Sequence, residues 1–248
     1  MTTTNESGVE KPRIVERPLD YDVERGPDLH AESIDEFLQW AGGVPAGAAD
    51  MIRSRIGAAR GDTTVLDRLL EELWKLPVRD EARHYLLLST IGELRDGRAA
   101  TELVRFIWEP DERISSVGHE VVEDGCGFGP STAELLKARA VEMLAYLGTS
   151  EAVEATLRVA ADHPTAAVRA AAIDAHLFNH DDSPEEMERV RGRVRADDAP
   201  IVGLPRFTRQ VNPREFDRAI ADFYSRHPER RAQPEREAGG PARPRDEG

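Results

Sequence analysis

The stretch ARAVEMLAYLG at 138–148, continued by TSEAVEATLRVAADHPTAAVRAAAIDAHL at 149–177, decides the fold. It opens on Ala138-Arg139 and runs to Leu147-Gly148, and a like opening returns at Val168-Arg169, which leads to Leu177-Phe178. An earlier copy runs from Ala82-Arg83 to Ile91-Gly92. In each copy a short side chain and an arginine open a helix, and an apolar residue follows eight positions after the arginine. The last two copies start 30 residues apart and the first two 56, as if a period of about 30 carried an inserted loop. Such a period implies stacked helix pairs, because one pair cannot bury its apolar face alone.

Outward from this stretch, nearly every segment reads as helix. Ile34, Phe37, Leu38 and Ala41 fall at i, i+3, i+4 and i+7, which places them on one stripe. Leu66, Leu69, Leu70, Leu73 and Trp74 repeat the spacing, and Pro77 ends that helix. Ala100, Leu103, Val104, Ile107 and Trp108 form another stripe, stopped by Pro110. Leu136, Ala140, Met143, Leu144 and Leu147 follow, with Gly148 placed to end the helix, and Phe216, Ala219, Ile220 and Phe223 form a last one. Ser131 with Glu134 has the spacing of a capping box, as has Ser183 with Pro184 and Glu186, and Asn212-Pro213-Glu215 repeats the arrangement. The prediction is an all-α protein of about nine or ten helices.

On these residues the chain resembles the HEAT repeat found in many bacterial proteins. The match is a helix, a short turn, a second helix, and Asp162 ahead of Val168-Arg169, with 79–107 as a degraded earlier copy. The resemblance implies a HEAT-like α-solenoid of stacked antiparallel helix pairs, in which Asp162 and Arg169 join successive repeats through a hydrogen-bonded ladder. It also implies a scaffold, although the wider fold includes bilin lyases and alkylpurine DNA glycosylases.

Composition narrows the function. The 248 residues carry 47 acidic and 33 basic side chains, a formal charge of −14. That field repels phosphate backbones and anionic membranes, so neither nucleic acid nor a membrane is an expected partner, and a basic one is. Cys126 is the only cysteine, which excludes an internal disulfide and a thiolate metal cluster. No apolar run spans a bilayer and the N-terminus lacks a signal-like apolar core, so the expectation is a cytoplasmic protein. Residues 1–29 and 228–248, rich in Pro and charge, read as disordered tails around a helical domain at 30–227.

The insertion EPDERISSVGHEVVEDGCGFGP at 109–130 interrupts the repeat and is the first candidate for a site. Its expected partner-binding residues are Glu109, Asp111, Glu112, His119, Glu120, Glu123, Asp124 and Phe128. A solvated acidic loop is the alternative. The glycines around Cys126 lack the Lys and Ser/Thr of a phosphate-binding loop and read as a hinge. His176 and His180, four apart with Asp181 and Asp182 following, have the spacing of two metal ligands on one helix face. The expectation is instead a water-facing C-terminal cap, with no metal and no cofactor. Trp40, Trp74 and Trp108 are expected in the core, and PIVGLPRFTRQV at 200–211 as a cap over the last repeat. The functional expectation is a non-catalytic adaptor or assembly factor that binds a basic protein or peptide through an acidic concave face and the 109–130 loop. An enzyme on the same fold and a structural subunit of a larger bacterial assembly are the alternatives.

Overall fold

A computed structural model describes residues 26–30, 33–76, 80–114, 131–206 and 213–228, with the backbone alone described at 46, 112, 213 and 214. Among the described residues every regular element is helical. In chain order these are α1 (Ile34–Gly43), a 3₁₀ turn (Ala46–Ala48), α2 (Ala49–Ala58), α3 (Thr63–Lys75), α4 (Glu81–Glu93), α5 (Ala99–Trp108) and α6 (Asp111–Ile114). Then follow α7 (Thr132–Tyr146), α8 (Ser150–Asp162), α9 (Ala166–Asn179), α10 (Pro184–Arg191), α11 (Ala199–Val202) and α12 (Pro213–Arg226). No described helix is long and apolar enough to cross a membrane.

Side-chain caps start six of these helices, whereas α2, α5, α9 and α11 begin without one. The Ser33 hydroxyl accepts from the Glu36 N–H while Glu36 reaches back to the Ser33 N–H, and Ser131 and Glu134 repeat the reciprocal box at α7. Asp62, Asp80 and Thr149 cap α3, α4 and α8 in the same sense. Ser183 caps α10 with Pro184 in its first turn, but the Glu186 carboxylate turns to His176 rather than back to the cap.

The helices pack in two series. α4 lies against α1 and α7, and α7 against α9; α5 lies against α3 and α8. Contacts of α3 with α4, α5 with α7, and α8 with α9 join the series into one apolar core. The expected stripes supply much of it: Phe37, Leu66, Leu69, Leu103, Ile107 and Leu144 are all buried, as are Val168 and Ile173 of α9. Leu29, which the sequence assigns to the N-terminal tail, is buried in this core, and its carbonyl accepts a hydrogen bond from Arg68.

The two glycines in matching repeat positions do different work. Gly148 follows the last turn of α7 at φ +68°, where a Cβ is strained. Gly92 is inside α4, and a Cβ there would stand 2.7 Å from Met143 Cβ, so its missing side chain sets how closely α4 approaches α7. Ile201 and Val202, in an otherwise irregular stretch, form the short α11 and are buried against α9, as a cap requires. Phe207 lies outside the described residues.

Candidate functional site

Arg169 is held by hydrogen bonds, but not with the expected acid. Arg169 Nε donates to Asp198 Oδ2 at 2.6 Å, and its Nη1 donates to the carbonyls of His163 and Pro164, both at 2.9 Å. Arg169 and Asp198 are both buried. Asp162 contributes its backbone carbonyl, which accepts from Arg195 at 3.2 Å, while its side chain is exposed. Arg193 and Arg189 both bind Glu154 of α8. These arginines therefore tie α10 and the turn after it to α8 and to the turn before α9. That role is structural.

The described part of the insertion is folded inward. Arg113 binds Glu109 at 2.6 Å, and the buried Lys137 of α7 donates to Asp111 at 2.5 Å, which docks α6 on α7. Of Glu112 only the backbone is described; His119, Glu120, Glu123, Asp124 and Phe128 lie outside the described residues, as does Cys126.

A different surface collects side chains with binding chemistry. On α7, Leu135, Arg139, Glu142 and Tyr146 share one helical face. Tyr85 of α4, Leu135 and Phe178 of α9 are each about half exposed there. Arg139 lies 4.7 Å from the Tyr85 ring centroid, donates to Ser89 Oγ at 2.9 Å and to Glu142 at 2.7 Å. Arg95 stacks over Tyr146 at 4.3 Å and donates to its hydroxyl. Between α7 and α9, Arg139, Glu142, Met143, Tyr146, Asp174 and Phe178 line a cavity of about 270 Å³. A second cavity, of about 440 Å³, lies between α1 and α4 beside Asp35, Gln39, Arg83 and Leu86. Aromatic rings flanked by ion-paired guanidinium and carboxylate groups offer apolar contact and charge together. The sequence hid this face because its residues come from three helices, and the repeat pattern marks only Arg139 and Phe178 of it, as the opening and the end of a repeat.

Two of the three tryptophans depart from expectation. Trp40 is buried at 2% exposure, whereas Trp74 and Trp108 are 37% and 40% exposed. Trp74 donates its indole N–H to Glu102 at 2.9 Å beneath Arg105, and Trp108 rests 5.1 Å from the His163 ring. They cover the core from outside, at the rim of α3 and α5, where apolar periodicity alone does not separate a core position from the stripe's edge.

The histidine pair also departs. His176 is 1% exposed rather than water-facing, and its Nε2 lies 2.8 Å from Glu186 Oε2. His180 stacks on it at 4.3 Å and donates Nδ1–H to the His176 carbonyl at 2.7 Å. Burial pushes the His176 imidazole below its usual range, against the hydrogen bond of Glu186. Burial pushes Glu186 up, but the His176 hydrogen bond and the Arg189 charge outweigh it, so the carboxylate lies below its usual range. Burial likewise lowers His84 and His163; His163 bonds the Ile107 carbonyl through Nε2 and accepts from the Thr165 N–H at Nδ1, so its neutral form is satisfied on both sides. No protein-family model matches this chain, and neither a curated protein nor a solved structure matches it.

Proposed function

We propose that the chain is a HEAT-like α-solenoid acting in the cytoplasm as a non-catalytic adaptor or assembly factor for a basic protein or peptide. In this reading α1, α4, α7 and α9 form the concave side, and the acidic 109–130 segment, which joins α5 to α7 in sequence, adds selectivity. The carrying observation is the half-exposed Tyr85, Leu135 and Phe178 beside Glu142 and Asp174 on the face of α4, α7 and α9. A cationic peptide with apolar residues suits that face: its aliphatic groups cover the rings, and its Lys or Arg meet Glu142 and Asp174 by exchange with Arg139 and Arg206, which pair with them in the free chain. The net charge of −14 steers such a partner in and repels anionic ones.

Selection of a phage-displayed random peptide library against the whole chain tests the reading. The expected winners carry Lys or Arg beside apolar residues, and their binding weakens as salt rises. Combined Tyr85→Ala and Phe178→Ala substitutions weaken it by at least about 10-fold, the loss expected for a central contact. Deletion of 110–130 tests the loop's share. Winners without basic residues, salt-indifferent binding, or binding that ignores both changes would overturn the reading.

A further inference from the structure

His176, His180 and Glu186 meet across the turn that joins α9 to α10, each offering one ligand atom within 4.8 Å of the other two. From this juxtaposition we infer that the chain holds a single zinc-class divalent ion here, through two imidazole nitrogens and one carboxylate oxygen. Two imidazoles and a carboxylate suit a borderline ion such as zinc, and three protein ligands leave a fourth position for water.

Three observations build the site. First, His180 commits Nδ1–H to the His176 carbonyl at 2.7 Å, which leaves Nε2 with its lone pair and fixes the ring. A backbone carbonyl behind the second ring nitrogen is how protein imidazoles are oriented for metals. Second, His176 and Glu186 are hydrogen-bonded at 2.8 Å before any ion arrives, so two donor atoms are already collected at a largely buried position. Ligation moves the His176 proton from Nε2 to Nδ1, and the ion takes its place opposite Glu186. Third, Asp181 and Asp182 both adopt positive φ, at 52° and 51°, in the turn between the two helices. Two successive non-glycine residues in the left-handed region are uncommon, and here they turn the chain so that α10 brings Glu186 back to α9.

The neighbouring charges are accounted for. Arg189 Nη1 stands 3.4 Å from Glu186 Oε1 and opposes a cation, but its Nη2 is drawn away to Glu154 of α8. Asp182 is engaged by Arg206 at 2.8 Å, which keeps it out of the ligand set. The ion would clamp α9 to α10, and its two histidines, each two positions from Phe178, lie about 200° around α9 from the face proposed for partner binding. The two readings therefore stand or fall separately.

The test uses the whole untagged chain, stripped with a chelator and titrated with zinc chloride by calorimetry, then with cobalt chloride by visible absorption. One equivalent of zinc is expected, with a tetrahedral cobalt spectrum. A zinc excess of 100-fold over the dissociation constant raises the thermal midpoint by about 5–10 °C. His180→Ala, at a partly buried position and with the fold checked by circular dichroism, weakens zinc binding beyond the about 10–100-fold lost with a supporting residue. Glu186→Gln does the same and abolishes the cobalt band. Equal zinc uptake by wild type and His180→Ala, an octahedral cobalt spectrum, or no uptake at all would each overturn the site.

Discussion

At the scale of single residues, the choice between Asp198 and Asp162 as the partner of Arg169 has measurable consequences. Asp198 neutralises a buried guanidinium at 2.6 Å, so Asp198→Ala leaves that charge uncompensated and destabilises by about 3–5 kcal/mol. Asp162 is exposed and offers Arg195 only its backbone carbonyl, so Asp162→Ala stays within about 0.5 kcal/mol. Urea unfolding of the two variants decides between them; equal losses would restore the ladder expected from the sequence. A single chain shows an arginine with two acids on offer, 7 residues before it and 29 after it. Which one is buried with it depends on where the turn before α11 is laid down, and no local pattern carries that.

At the scale of elements, helix starts and helix spacing are separate problems. Starts are local. The Ser131–Glu134 box satisfies backbone N–H groups at the beginning of α7, and Ser131→Ala destabilises by about 1 kcal/mol in thermal unfolding. Spacing is not local. Gly92→Ala adds one methyl at the contact of α4 with α7 and, by forcing Met143 aside, destabilises by about 1–3 kcal/mol despite the better helix propensity of alanine. An unchanged or raised urea midpoint for Gly92→Ala would show that α4 and α7 are free to separate. The capping boxes and apolar stripes were legible because a cap and its helix lie within four residues. The exposure of Trp74 and Trp108 was not legible, since a stripe's edge and its centre share one periodicity.

At the scale of the whole molecule, three buried imidazoles couple the fold to pH. His84, His163 and His176 all lie below their usual range because burial disfavours the charged ring. Between those lowered values and the unfolded value of about 6.5, the unfolded chain binds more protons than the folded one. The three contributions are therefore complete above about pH 6.5 and are lost as pH falls below it. His30 adds no slope in that window: its hydrogen bond to Asp62 raises its pKa, so its contribution is full below about 6.5 and fades only at higher pH. Asp62 is held at about 2 by Thr64 and His30, so its contribution persists until strong acid. Urea midpoints are expected to fall from pH 7 to pH 5.5, with a shallower slope in His163→Gln; a flat profile would show that the buried rings find acceptors when charged.

The sequence by itself determined the helical class, most positions of the apolar stripes and the helix starts at Ser131 and Ser183. Each rests on interactions within one or two turns: 3.6-residue periodicity, a hydroxyl or carboxylate at a cap, a proline that removes an N–H. It also determined the net charge of −14, hence the sign of the field a partner meets. The tertiary structure alone decided which acid meets Arg169, that Asp111 meets the buried Lys137, and that Tyr85, Leu135 and Phe178 gather on one exposed face. It alone placed Glu186 beside His176 and His180, although the two histidines were visible as an i, i+4 pair. Those outcomes depend on the angles at which helices cross and turns redirect the chain, and these are set by the packing of side chains distant in sequence.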